Sequence, residues 1–151
     1  MLRERLNDTL KAAMKEKNEV TVSTVRLILA ALKDRDIVAR GQGNLEGIGE
    51  DEILVLLQSM IKQRRESIEL YTKGGRQELA DQEAAEITVI EHFLPEQMTP
   101  EEMTEAVTSL IVELDAKTLK DMGRTMAALK ERYAGRMDFG RASGLVKQQL
   151  G

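Results

Sequence analysis

Two cations, Lys120 and Arg124, are the side chains whose type and spacing best fit a chemical role. Residues four apart lie on one face of a helix, so both charged groups would project from the same side. Lysine and arginine sets of this kind bind nucleic-acid phosphates largely without reading the base sequence. The competing interpretation is a solvated helix face, because charged side chains mostly lie at the surface.

The basic character extends over the C-terminal part of the chain. Residues 117–151 contain eight basic and three acidic side chains, a net charge of +5, whereas residues 1–116 contain 14 and 23, a net charge of −9. Charge separation of this kind indicates a directional partner. We therefore predict an RNA-binding surface that comprises Lys117, Lys120, Arg124, Lys130, Arg136, Arg141 and Lys147. The two nearby aromatic residues, Tyr133 and Phe139, both fit the core, so recognition of shape and phosphate is favoured over stacking on bases.

Gly123 lies between the two central cations, inside a predicted helix. Glycine at such a position costs about 1 kcal/mol relative to alanine. We therefore predict that another helix or a ligand approaches the backbone closely at this point.

The sequence indicates no catalytic residue, no cofactor and no metal site. The chain has no cysteine, which excludes thiol nucleophiles, disulfides and cysteine metal ligands. His92 is the only histidine and has neither a second metal ligand nor a nucleophile partner, so a structural role near a helix end is favoured. Residues 41–49 include four glycines but lack the Gly-Lys-Ser/Thr ending of a phosphate loop, and the acids at 50–52 would repel phosphate. This stretch is predicted to be a mobile loop.

The remaining polar and methionine residues of interest have structural interpretations. The paired carboxylates at 50–52 and 101–102 precede apolar runs, where a helix dipole favours negative charge. Arg64 lies near an apolar stripe and is predicted to pair with a carboxylate of the next helix, Glu83 or Glu86. Met103, Met122 and Met126 recur with leucines at helical spacing, which favours core packing over an adaptable binding groove.

Helices position all of these residues, because the apolar patterns repeat near every 3.6 residues and none alternates over a strand length. The fold is predicted to be all-α. The first three of its seven helices should begin near Leu2, Thr21 and Glu50, and the fourth should begin directly after Gly75. The last three should begin near Thr99, Thr118 and Asp138. Pro95 ends the fourth helix. The chain is therefore predicted to contain a four-helix N-terminal domain, 1–95, and a small three-helix C-terminal domain, 96–151.

The location of the protein is predicted from what the chain lacks. Its first residues alternate charged and apolar side chains, unlike a secretory signal. No apolar run approaches the roughly 20 residues that span a bilayer. Together with the absence of cysteine, these features predict a cytoplasmic protein with no membrane partner.

Four stretches resemble the GatB/YqeY family in order and spacing: KQRRESIELY at 62–71, AEITVIEHFLP at 85–95, KDMGRTMAALK at 120–130 and SGLVK at 143–147. The chain is similar over its whole length to the stand-alone, YqeY-like members. The family shares its helical module with the tail of GatB, the component of the tRNA-dependent amidotransferase that carries a kinase-like core. That enzyme amidates Glu or Asp charged on tRNA.

The resemblance implies a role that faces tRNA, away from the chemistry. The kinase-like core of GatB and the glutaminase component of the amidotransferase have no counterpart in this chain. Carbon–nitrogen ligase activity with glutamine as amide donor is therefore not supported as an independent activity.

The favoured function is a non-catalytic accessory module that binds tRNA or another folded RNA, with no DNA partner expected. The main alternative is a protein-interaction module that docks through the C-terminal helices or the acidic N-terminal helices. A third interpretation, an enzyme linked to the amidotransferase, would need a nucleophile that the sequence does not offer.

Overall fold

The computed structural model describes all 151 residues, and every regular element in it is helical. The α-helices are α1 (Leu2–Glu16), α2 (Glu19–Gly41), α3 (Glu50–Lys73), α4 (Gln77–Glu91), α5 (Pro100–Glu113), α6 (Met122–Arg132) and α7 (Phe139–Leu150). One turn of 3-10 helix, Leu119–Asp121, directly precedes α6. The prediction of an all-α fold with seven helices is confirmed. None of these helices is both long and apolar enough to cross a bilayer.

The chain divides into two compact units, a first unit Met1–Leu94 with α1 to α4 and a second unit Pro95–Gly151 with α5 to α7. Compactness does not establish that either part folds alone. The division into independent domains 1–95 and 96–151 therefore stays a prediction.

The core of the first unit forms where α2 packs against α1 and α4, and α3 packs against α4. Each helix contributes apolar residues three or four positions apart, which is the spacing of a single helix face. The largest side chains that are fully enclosed there are Leu6, Val25, Ile28, Ile53, Leu57, Ile90 and Phe93. Arg64 extends along the edge of this core, and its Nε lies 3.0 Å from a carboxylate oxygen of Glu86 and 4.0 Å from one of Glu83. The predicted pairing of Arg64 with α4 is confirmed.

The connection between α2 and α3 is anchored at its C-terminal end. Arg3 donates to both carboxylate oxygens of Asp36, at 2.6 and 2.8 Å, and to the carbonyl of Ile48 at 2.8 Å. The Ile48 amide donates to Asp36 at 2.9 Å, and the Ile48 side chain is buried. Gly47 has a φ of 86°, and a Cβ there would collide with the Asp36 carboxylate. The prediction of a loop is therefore met, but the loop is not free along its whole length, because its last residues are held by a partly buried ionic network.

The core of the second unit is formed by one apolar face from each of α5, α6 and α7. Its fully enclosed side chains include Val107, Leu110, Leu129, Met137, Ala142 and Val146. Thr99 and Glu102 form a capping box at the start of α5. Thr118 and Asp121 form a second box, but it caps the 3-10 turn and not a continuous helix. Leu119, on that turn, is 49% exposed and lies outside the core.

Candidate functional site

The two central cations of the predicted RNA surface, Lys120 and Arg124, differ in their intramolecular contacts. Lys120 lies on the 3-10 turn, exposed, and its ammonium group has no intramolecular partner. Arg124 instead turns back onto the chain: its guanidinium donates to the Leu114 carbonyl at 2.7 Å and to the Asp121 carboxylate at 3.0 Å. The pKa of Asp121 is lowered by the backbone amide of Lys117, then by Arg124 and the amide of Thr118. Arg124 therefore stabilises the connection between α5 and α6, and only the exposed part of its guanidinium group is accessible to a ligand.

Other members of the predicted set are also engaged within the second unit. Arg136 donates through Nε to the carbonyl of Glu96 at 3.1 Å, and Lys117 lies 3.7 Å from Asp115. Arg132, which was not assigned to the surface, donates to both carboxylate oxygens of Glu113, at 2.6 and 2.9 Å. This bidentate pair lowers the pKa of Glu113 and raises that of Arg132. These contacts position the ends of the helices and partly neutralise their charge.

Four cations of the predicted set have side chains with no intramolecular hydrogen bond or ion pair: Lys120, Lys130, Arg141 and Lys147. All four are exposed. Lys130 is on α6, while Arg141 and Lys147 are on α7, a helix that contains no acidic residue. A ligand can bind such a charged group without breaking an intramolecular salt bridge. These four residues are therefore the part of the set best placed for binding.

The charge asymmetry of the sequence lies mostly within the second unit. This unit has eight basic and nine acidic side chains, a net charge of −1, so it is not basic as a whole. Six of those acids, and no base, fall between 95 and 116, on α5 and its flanking residues, whereas eight bases and three acids fall between 117 and 151. The unit is thus acidic on the side of α5 and basic on the side of α6 and α7.

A repeated pattern in α6 and α7 was missed at the sequence level. Residues 123–130 read GRTMAALK and residues 140–147 read GRASGLVK, so both contain Gly-Arg, a small residue four positions after the glycine, and a lysine seven positions after it. We call these two stretches the octets. Their inward positions match, because Thr125, Leu129, Ala142 and Val146 are all fully buried. Aligning the chain with itself at an offset of 17 residues would reveal the shared glycine, arginine and lysine of the octets. Only the burial of their residues shows that the octets present equivalent faces.

Gly123 does not mark close packing between helices. No atom lies within 4 Å of the position that a Cβ would occupy at Gly123 or at Gly144 in the second octet. The prediction that another helix approaches here is wrong, and the alternative in that prediction, a ligand, remains a proposal.

The residues considered for catalysis occupy structural positions. His92 follows the last residue of α4, its carbonyl accepts from Arg5 at 3.1 Å, and its ring packs edge-on against Phe93 at 5.7 Å. His92 also lines an open cleft of about 330 Å³, together with Glu16, Asn18, three threonines, two alanines, Val89 and Phe93. No group of three or more His, Asp or Glu side chains is arranged to hold a metal ion.

The similarity noted in the sequence extends along the chain. The family model of the YqeY-like protein matches residues 3–150, so the chain belongs to the YqeY-like protein family. A relative from Lachancea thermotolerans, named altered inheritance of mitochondria protein 41, mitochondrial, is 31% identical over 72% of this chain and 57% of its own length. Proteins of the same name from Kluyveromyces lactis and Pyrenophora tritici-repentis are 24% and 31% identical, over 94% and 85% of this chain. These matches span 72% and 71% of the two relatives, so the chain corresponds to part of each relative.

The relatives correct the prediction of a cytoplasmic location. All three are named as mitochondrial proteins, which points to mitochondria and not to the cytoplasm. The prediction rested on first residues unlike a secretory signal and on the absence of cysteine and of a long apolar run. None of these properties distinguishes the cytoplasm from the interior of mitochondria, so the inference was wrong for a physical reason.

Proposed function

We propose that this protein is a non-catalytic accessory module that binds tRNA or another folded RNA through the basic side of its second unit. The observation that carries the proposal is the set of four exposed cations without intramolecular partners, Lys120, Lys130, Arg141 and Lys147. They are supplemented by the engaged cations Lys117, Arg124 and Arg136, whose guanidinium or ammonium groups are only partly satisfied. The resemblance to the amidotransferase tail supports tRNA as the RNA.

The chemistry of the surface favours phosphate as the group recognised. Lysine and arginine side chains without base-stacking partners contact the backbone of a nucleic acid and release its counterions. Tyr133 and Phe139, the aromatic residues near the surface, both pack against the core of the second unit and are partly buried, which disfavours stacking on bases. A folded RNA, whose shape brings several phosphates together, suits such a surface better than a single strand does.

The test is binding of a tRNA transcript across a salt series. Replacing Lys120, Lys130 and Lys147 together with glutamine removes three of the free charges without disturbing a buried residue. We expect weaker binding and a slope of log affinity against log salt that is shallower by about one for each phosphate that is no longer neutralised. Wild-type protein that does not bind tRNA, or equal slopes for both proteins, would contradict the proposal. Arg124→Glu is a poor probe, because it would place a second negative charge beside Asp121.

A protein-interaction module is the second candidate function. Val20, Leu27 and Val38 are all 44–59% exposed and lie on one side of α2, since they are spaced by seven and eleven residues. These separated apolar side chains are the exposed groups of α2 that a protein partner would cover. A partner recovered from cells after RNase treatment, and no longer recovered when Leu27 is changed to Glu, would favour this function over RNA binding.

An enzyme linked to amidotransferase chemistry is the third candidate and has the least support. It requires glutamine-dependent turnover, and no nucleophile with an adjacent base is present in the chain. The decisive measurement is release of ammonia from glutamine by the purified protein, which we expect to stay at background.

A further inference from the structure

The two octets bear on how the proposed RNA surface is organised. Since Thr125 and Ala142 correspond, and Leu129 and Val146 correspond, the outward positions of the two helices correspond as well. Arg124 is matched by Arg141, and Lys130 is matched by Lys147. The second unit therefore presents the same pair of cations twice, once on each of two helices that pack against each other.

We propose that α6 and α7 provide two equivalent phosphate-contact faces, with Lys130 and Lys147 as the corresponding phosphate ligands. This inference rests on the proposed function. The arginine and the lysine of one octet are six residues apart, which is about 9 Å along the helix axis and about 120° around it. Their long, flexible side chains therefore leave the helix in different directions and would contact separate phosphates.

The two faces are equivalent in position but not in available charge. Arg124 is bound to the Leu114 carbonyl and the Asp121 carboxylate, whereas Arg141 has no intramolecular partner. Glu131 also lies on the outer side of α6, while α7 has no acidic residue. The face on α7 is therefore the stronger of the two, although the sequence alone placed Lys120 and Arg124 at the centre.

The composition of the α7 face fits a polyanion better than a protein partner. Its exposed residues are Gly140, Arg141, Gly144, Lys147, Gln148 and Gln149, and none of them has an apolar side chain to bury. The centres of protein interfaces are enriched in aromatic residues and methionine and depleted of lysine. Phosphate groups require cations and amides instead, which is what this face offers.

The test compares four single substitutions in the full-length chain, with a tRNA transcript as the probe. Lys130→Gln and Lys147→Gln should each weaken binding and lower the salt slope by about one, with the larger loss of affinity for Lys147→Gln. Arg141→Gln should weaken binding several-fold more than Arg124→Gln does. Lys11→Gln, an exposed lysine of α1 without a partner, is the matched control for the removal of one positive charge and should leave the slope unchanged.

The outcomes separate this inference from the proposed function. Binding that depends on Arg124 and Lys130 but not on Arg141 or Lys147 would overturn the two-face arrangement and leave RNA binding in place. A Lys11 variant that loses as much affinity as the Lys147 variant would also overturn it, because attraction would then be diffuse. Wild-type protein without measurable affinity for the transcript would overturn both. Thermal melting of each variant checks that the fold is retained.

Discussion

Replacing Asp36 with asparagine tests the ionic network that holds the end of the α2–α3 connection. The substitution keeps the size of the side chain but removes the charge that faces Arg3, and it places an amide NH₂ where one of the carboxylate oxygens accepts. In the wild type, the hydrogen bond from Arg3 is the main cause that lowers the pKa of Asp36 from 3.8 to about 2. Burial opposes this shift, and the amide of Ile48 reinforces it.

The magnitude follows from the shift in pKa. A difference of nearly two between the ordinary and the folded value corresponds to about 2 kcal/mol of stability at neutral pH. Because the folded pKa is the lower one, this contribution is fully present above about pH 4 and is lost as the pH falls toward 2. We therefore expect Asp36→Asn to lower the free energy of unfolding by about 2 kcal/mol at pH 7, and by less than about 1 kcal/mol at pH 2.

The assay is urea unfolding followed by circular dichroism at pH 7, 4, 3 and 2. A decrease of about 2 kcal/mol moves the unfolding midpoint by about 1–2 M urea for a slope typical of a small protein. Asp34→Asn is the matched control, since Asp34 is exposed on the same helix without a partner. A difference between wild type and Asp36→Asn that stays constant from pH 7 to pH 2 would refute the reasoning, because the charge would then not be its source. No difference at pH 7 would refute it as well.

Other substitutions test local features of the two units by thermal or urea unfolding. Thr24 has a fully buried hydroxyl without a hydrogen-bond partner, so Thr24→Val should stabilise the protein by about 1 kcal/mol; destabilisation would indicate a partner for that hydroxyl. Thr99→Ala removes the capping box of α5 and should cost about 1 kcal/mol, whereas Thr99→Ser should cost much less. Gly144→Ala places a methyl group in open space inside α7 and should raise stability by about 0.5–1 kcal/mol; a lower melting temperature would show that the site is crowded.

The helices and their starts could be predicted because the signals are local. The capping residues Thr99 and Thr118 bond to amides two or three residues away, so their effect is visible in a short stretch of sequence. The pairing of Arg64 was predictable for a related reason, since a charge beside an apolar stripe needs a partner on the next helix. In each case the sequence contained both the requirement and the group that meets it.

The state of the candidate site could not be predicted, because it depends on contacts between distant residues. Arg124 meets the carbonyl of Leu114 only because the chain reverses after α5, where Asp115 adopts a φ of 54°. Ile48 is buried within a glycine-rich stretch because Arg3 and Asp36, 33 residues apart, meet beside it. Counting charges along the sequence could not distinguish a cation bound in this way from one that remains free.

The separation of charge inside the second unit has a consequence for the rate of association. With acids concentrated on α5 and bases on α6 and α7, the unit has an electric dipole although its net charge is only −1. Such a dipole is not attracted strongly from a distance, but it experiences a torque in the field of a nearby polyanion. This torque would turn the α6–α7 side of the unit toward the polyanion before contact, so fewer encounters would begin in the wrong orientation. Neutralising the acids of α5 would make the molecule more positive and so strengthen its attraction to a polyanion. The same change would reduce the dipole, so a smaller fraction of encounters would begin in the productive orientation.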